Sequence, residues 1–415
     1  MTQVRRPSAA KPRSCQCLCW FLLLGTLFWL VTEHDIPDHP SAVPAPFMAK
    51  SFDMLAMRNS NNNNNDVIDN APVDPTKVLD EPHIYQYRRN CHGERPTLAS
   101  IQACYPDATL HFGQQTHNNP PSSSSCDQYP QDQPLTWSFV QECLAGRHTS
   151  TNNKISQIHV IGERNSGTKW LQQELAQCFP KSVARSHRDF LRSKHFFQPP
   201  VRGMLSESLV IAIVRSPDEW LAAMREKPYH MPFHMNGYDS ITNKVIPLDW
   251  DEFTKRQTWT MPLPHQEFPP KEGSCVQGFS FTEVSPCLFN DTSIVPRNKW
   301  RGHMPVYELQ RDGSGIPFSH LLDLRAEKIL NFVLEVPLLM ALGGFLAVRY
   351  EDLVKHGTQG FLEQVAHLLD LQLPSSCKPQ PPRPERLGRR TIPSKVRMWM
   401  EERLVLETEQ LLGYR

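Results

Sequence analysis

Continuous apolar runs alternate with stretches of helical spacing along the second half of the chain. Ile158 to Ile161 is long enough for one buried strand, Leu209–Val214 (LVIAIV) is the clearest strand, and Phe345–Arg349 (FLAVR) is another. Runs without polar alternation suit strands covered on both faces. Ser182–Arg185 adds a short candidate strand. Trp170–Phe179 places apolar residues at 170, 171, 175 and 179 and predicts a helix. Pro217–Arg225 predicts another, with Pro in its first turn. Leu321–Val336, Phe361–Leu371 and Pro393–Leu412 follow the same pattern. Strands alternating with helices predict an α/β class with a parallel sheet flanked by helices. In such a sheet, ligands sit at the carboxyl ends of the strands. This part spans 154–415, about 260 residues, a normal size for one α/β domain.

The N-terminal pattern is different. Residues 1–14 carry Arg5, Arg6, Lys11 and Arg13 and no acid. Residues 15–32 (CQCLCWFLLLGTLFWLVT) are apolar apart from Gln16, Thr26 and Thr32, with Trp20, Phe28 and Trp29 near the ends. The span is at the short end for a membrane helix. No small-x-small cleavage site follows it, which argues against a removed signal peptide. Positive charge before the span puts the N-terminus in the cytosol. The expectation is a type II signal anchor with the rest of the chain lumenal, and the short span suits early secretory membranes. Cys15, Cys17 and Cys19 at its cytosolic edge are open to palmitoylation or remain free thiols.

Residues 33–90, rich in Pro and Asn, have the composition of a flexible stem. Residues 91–153 bring in Cys91, Cys104, Cys126 and Cys143 and predict a disulfide-tied cap on the main domain. Eight of the eleven cysteines lie beyond the apolar span, and an even number in a lumenal compartment permits disulfides. No C-x-x-C pair supports a zinc site, so no metal is expected. Cys275 and Cys287 flank one loop and are the pairing expected first; Asn290 in the same region is the one N-x-[ST] glycosylation acceptor.

The chemistry concentrates after the first strand, in Gly162-Glu163-Arg164-Asn165-Ser166-Gly167-Thr168-Lys169, with Trp170 opening the helix. Strand, glycine-bounded loop and helix make a phosphate cradle: backbone N–H groups turn inward and the helix N-terminus adds partial positive charge. Arg164 and Lys169 add full charges and Thr168 a hydroxyl. The spacing is nearly that of the nucleoside-triphosphate P-loop, but the last two residues are reversed, so neither the phosphate-reaching Lys nor the Mg²⁺-holding hydroxyl is assured. Arg215-Ser216-Pro217 leaves the second clear strand, Arg349-Tyr350-Glu351-Asp352-Leu353 leaves the third, and 383–397 is basic through Arg383, Arg386, Arg389, Arg390, Lys395 and Arg397. The net charge of +1 shows that this basicity is local, as a nucleotide pocket needs, and gives no support for nucleic-acid binding.

In this order, these elements resemble the sulfotransferases that use 3′-phosphoadenosine-5′-phosphosulfate (PAPS), in particular the heparan-type Golgi enzymes. The resemblance covers most of 155–415. It implies a sulfotransferase fold, with a 5′-phosphosulfate loop over Gly162, Arg164, Asn165, Ser166, Gly167, Thr168, Lys169 and Trp170. It implies a 3′-phosphate fork at Arg215 and a basic closing loop through Gly388, Arg389, Arg390 and Lys395. The R-Y-E-D-L string is then structural. Arg192-Ser193-Lys194-His195-Phe196-Phe197 resembles the family's K-E-x-H-F-F element with Ser193 in the Glu position, which leaves His195 as base and Lys194 as charge donor; His187 is the second choice. Arg164 or Lys169 takes the work of the family's loop Lys, because Asn165 stands in its place, and Ala223 replaces a usual Ser.

The implied activity is sulfuryl transfer from PAPS to a hydroxyl or amine, the acceptor a glycan, in the Golgi lumen. Two further readings stay open: a membrane-anchored binding protein that has lost catalysis, and a lumenal P-loop kinase. Tyr229–His234 and Trp250–Trp259 are either acceptor-binding or packing loops, and Asp249-Trp250-Asp251 spells the D-x-D string of metal-dependent glycosyltransferases.

Overall fold

The computed structural model describes residues 96–113, 126, 128–148, 154–182, 194–198, 205–231, 235–256, 284–286, 306–311, 317–318 and 320–415. The expected anchor and stem, Asn290, the Cys275–Cys287 pair, His187 and Ser193 lie outside those residues. Among the described residues no helix is long and apolar enough to cross a membrane.

In chain order the elements are α1 (Leu98–Cys104), α2 (Trp137–Phe139, running into a π turn at Val140–Leu144), β1 (Gly146–Arg147), β2 (Gln157–Gly162), α3 (Thr168–Cys178), β3 (Leu205–Val214) and α4 (Pro217–Glu226). Next come β4 (Gly237–Asp239), β5 (Lys244–Ile246), α5 (Trp250–Lys255), β6 (Val284–Pro286), β7 (Val306–Glu308), α6 (Leu321–Leu330, then a π turn at Asn331–Glu335), α7 (Val336–Leu339) and β8 (Leu342–Arg349). The chain closes with α8 (Tyr350–His356), α9 (Gln359–Leu368), α10 (Ser394–Arg403) and α11 (Leu406–Leu411).

The fold is α/β. Its central sheet has the order β1-β8-β3-β2, with β2, β3 and β8 parallel and β1 antiparallel at the edge of β8. The run at 209–214 explains the layering. Val210, Ala212 and Val214 join one core cluster with α6, α7, Leu98, Ile101 and residues 135–144, while Leu209, Ile211 and Ile213 join another with α3 and α9. Period-two alternation therefore serves two apolar faces, and each such buried aliphatic contributes about 1.5–3 kcal/mol. Leu98, Ile101 and the segment Leu135–Leu144 share this core with the sheet, and β1 adds a strand to it. Between described residues two disulfides form, Cys126–Cys143 at the first cluster and Cys178–Cys377 within the second.

Several expected elements change in outline. Ser182 lies in a turn, and 183–185 fall outside the described residues. The helix expected at Leu321–Val336 widens to a π turn at Asn331, whose side chain holds both backbone groups of Gln198 and the Glu335 carboxylate. Such one-turn widenings mark places where a side chain has a second task. The helix expected over 393–412 breaks at Leu404, because α10 buries Val396 and Met400 in a third cluster while Leu411 and Leu412 belong to the first. Asp249 is the N-cap of α5, and Trp250 and Asp251 form its first turn. Asp249 caps the Glu252 N–H at 2.8 Å and Asp251 pairs with Lys395, so both acids have structural partners.

Candidate functional site

The carboxyl ends of β2, β3 and β8 bring three distant stretches of sequence together. β2 ends at Gly162, where an added Cβ would meet the Ile213 carbonyl oxygen at 2.4 Å. Asn165 and Gly167 take left-handed φ values of 63° and 98° and bend the loop into the N-terminus of α3. That conformation turns successive N–H groups inward as an anion nest. Among the described residues the N–H groups of Asn165, Gly167, Thr168 and Lys169 meet no backbone acceptor. Ser166 is buried and its hydroxyl donates to the Glu163 carbonyl at 2.7 Å, fixing the turn from within. Thr168 is buried, Lys169 exposed and Trp170 half-buried.

Tyr350 is the pivot. Its ring lies 2.8 Å from where a Gly167 Cβ would be, meets Trp170 edge-on at 5.7 Å, and carries the Arg215 guanidinium on its face at 4.6 Å. Arg215 also donates to the Asn165 carbonyl at 3.0 Å. Glu351 accepts from the Ser216 N–H and from the Tyr414 hydroxyl, so the strand end of β8 braces the strand end of β3. Gly167→Ala is expected to destabilise the protein by about 1–3 kcal/mol, from left-handed strain and the clash with Tyr350. Urea denaturation checks it, and wild-type stability in the variant would show that the loop has another course.

The expected charges are used unevenly. Arg164 turns inward, away from the role of ligand-binding cation. It is buried, pairs with Glu308 and lies over the Phe196 ring. Asn165 donates to the Lys227 carbonyl at 2.8 Å and tethers the loop to the end of α4. Lys194 does face α3: it is buried and donates to Gln172 Oε1 at 2.7 Å. Burial, with the like charge of Lys169 adding to it, lowers its pKa to about 8. His195 is half-buried and its Nδ1 lies 2.8 Å from the Gly162 carbonyl. A carbonyl only accepts, so Nδ1 carries the hydrogen and Nε2 of the neutral ring keeps the lone pair. Burial, opposed by that hydrogen bond and reinforced by Arg164, Lys194 and Lys328, holds this ring well below the usual histidine pKa.

Arg215 is buried and donates to Glu219 Oε2 at 2.8 Å, while its Nε has no partner. Arg389, Arg390 and Lys395 are exposed over α4 and α5. Arg389 donates to the Glu385 carbonyl, and Arg390 and Lys395 pair with Glu226 and Asp251. Ala223 is buried within α4. In the segments expected to bind an acceptor, Met231 and Phe253 are core residues and Trp250 stacks under Arg225.

A buried ionic cluster behind the loop was not anticipated from the sequence. Arg325 pairs with Glu163 at 2.5 Å and Glu409 at 2.7 Å, and also donates to the Arg215 carbonyl. Lys328 pairs with Glu308 and donates to the His195 carbonyl at 2.6 Å. Burial pushes Glu163 up to about 7 against the opposing charge of Arg325. Three acids (Glu163, Glu308, Glu409) balance three bases (Arg164, Arg325, Lys328). The cluster ties Glu163, Arg164 and His195 to α6, β7 and α11. Its one sequence signal is that Arg325 and Lys328 lie three apart on α6 and so share a face.

No protein-family profile, no curated protein and no solved structure matches this chain.

Proposed function

We propose that this protein transfers a sulfuryl group from PAPS to a hydroxyl or amine of a glycan acceptor, on the lumenal side of the Golgi membrane. One observation carries the reading. The glycine loop, the strand end at Arg215 and the strand end at Tyr350 converge around Gly167, though they lie far apart in sequence. The open loop N–H groups and the unpartnered Nε of Arg215 suit a ligand with anionic groups at two points. The two disulfides are compatible with a lumenal setting.

In this reading the loop N–H groups, Lys169 and Lys194 hold the phosphosulfate. They stabilise the charge that collects on the phosphate oxygen as its bond to sulfur breaks. His195 Nε2 takes the acceptor's proton as the new bond to sulfur forms. Arg164 has no part in this, being held by Glu308.

Thermal shift of the purified protein tests the proposal with 3′,5′-ADP, ADP, ATP with Mg²⁺, and UDP-sugars. Stabilisation reports ligand bound to the folded state. A shift with 3′,5′-ADP and none with ATP is expected. A shift with ATP and Mg²⁺ alone would replace the proposal by a kinase, one with UDP-sugars alone by a glycosyltransferase, and none at all by a binding protein of another kind.

Lys194 adds a pH dependence. It is a cation below about pH 8 and neutral above, so affinity for 3′,5′-ADP is present below that pH and lost as pH rises through it. About a tenfold weakening between pH 7 and 9 is expected by titration calorimetry. Lys194→Met should weaken binding at pH 7 and flatten the profile; an unchanged slope in that variant would place the titrating group elsewhere.

A further inference from the structure

Glu219 accepts from two donors: Arg215, the expected 3′-phosphate fork, and the N–H of Gly388 in the expected closing loop. Its Oε2 accepts from Arg215 Nη2 at 2.8 Å and its Oε1 accepts from the Gly388 N–H at 2.9 Å. The carboxylate is buried, while Gly388 above it is exposed and left-handed at φ 70°, with open space where a Cβ would stand. The surrounding ion pairs repeat the pattern. Arg390 pairs with Glu226, Arg397 with Asp218 and Lys395 with Asp251, so acids of α4 and α5 meet the bases of the C-terminal segment. Those pairs are exposed and weakly held. The Arg215–Glu219 pair is buried, and one guanidinium N–H, Nε, still lacks an acceptor there. An arginine fork with a free buried donor is built for an anion larger than one carboxylate.

We infer that Glu219 is a specificity-determining residue: its carboxylate stands in for the ligand's 3′-phosphate on Arg215 and the Gly388 N–H, and it lowers the preference for 3′-phosphorylated nucleotides. The inference rests on the nucleotide site proposed above. A 3′-phosphate reaches Arg215 only when Glu219 swings away, because two anions on one fork repel. The C-terminal segment, held to α4 through Glu219, loosens in the same step.

The test compares 3′,5′-ADP with 5′-AMP, which differ only in the 3′-phosphate, by titration calorimetry on the wild type, Glu219→Gln and Glu219→Asp. Gln keeps the shape and an acceptor oxygen but removes the charge. Asp keeps the charge. Glu219→Gln is expected to raise the preference for 3′,5′-ADP over 5′-AMP at least tenfold, and Glu219→Asp to leave it within about threefold of wild type. An unchanged or lower preference in Glu219→Gln overturns the inference while leaving the nucleotide site standing. An equal gain in Glu219→Asp overturns it too, by making the effect one of size. If neither nucleotide binds the wild type or either variant, the nucleotide reading fails and takes this inference with it.

Discussion

Arg325→Met is expected to lower the free energy of unfolding at neutral pH by about 3–5 kcal/mol, enough to abolish a marginal fold. Arg325 is fully buried and is the partner of both Glu163 and Glu409. Removing it strands two carboxylates in the interior and removes the donor to the Arg215 carbonyl. Met fills most of the volume, so the loss is electrostatic rather than a cavity. The sign of the pH dependence follows from Glu163, whose pKa burial raises from 4.5 to about 7 in the folded protein. A raised carboxylate contributes stability below its unfolded pKa and loses it as pH rises through the folded one. The penalty in Arg325→Met is therefore smaller at pH 5 than at pH 8. Adding Glu163→Gln and Glu409→Gln should recover most of the loss. Urea denaturation at both pH values measures this; a loss below about 1 kcal/mol, or one that grows toward acid pH, would show that the cluster is not a stabilising unit.

Under the proposed sulfuryl transfer, His195→Asn is expected to reduce turnover by about 10²–10⁴-fold with little change in affinity for 3′,5′-ADP. The Asn amide can still donate toward the Gly162 carbonyl, and Lys328 bonds the backbone oxygen of residue 195, which the substitution leaves in place. What disappears is the lone pair on Nε2. Because the ring's pKa lies well below 6.5, wild-type turnover should stay flat as pH falls through 6.5 and decline only in more acid solution. Turnover is read as nucleotide product released in the presence of glycan acceptors. Unchanged turnover in His195→Asn would remove it as the base. A parallel fall in turnover and nucleotide affinity would make it a packing residue.

The local geometry of the site was legible in the sequence. Gly162 and Gly167 mark where β2 stops and α3 starts, because one faces the Ile213 carbonyl oxygen and the other takes φ 98° beneath Tyr350. The strands were legible because 158–161, 209–214 and 345–349 are continuous apolar runs, the signature of two covered faces. The fate of the charges was not legible. Arg164 and Lys169 look alike in the loop, yet Arg164 enters the interior and Lys169 stays in solvent. The partner that decides this, Glu308, lies far along the chain on β7. The acid that holds Arg215 lay closer: Glu219 is four residues on, one helical turn, a spacing at which opposite charges meet.

The sequence by itself determined the α/β class, the parallel strands, and the glycine-bounded loop between β2 and α3. Each depends on neighbours a few residues apart, where backbone sterics and side-chain periodicity act. Only the tertiary structure decided that Cys178 bonds Cys377 and that Arg325 bridges Glu163 and Glu409. Both join residues distant in sequence. Both are choices among many oppositely charged or thiol partners that local pattern leaves equivalent, and they are made by which groups the packed layers exclude from water.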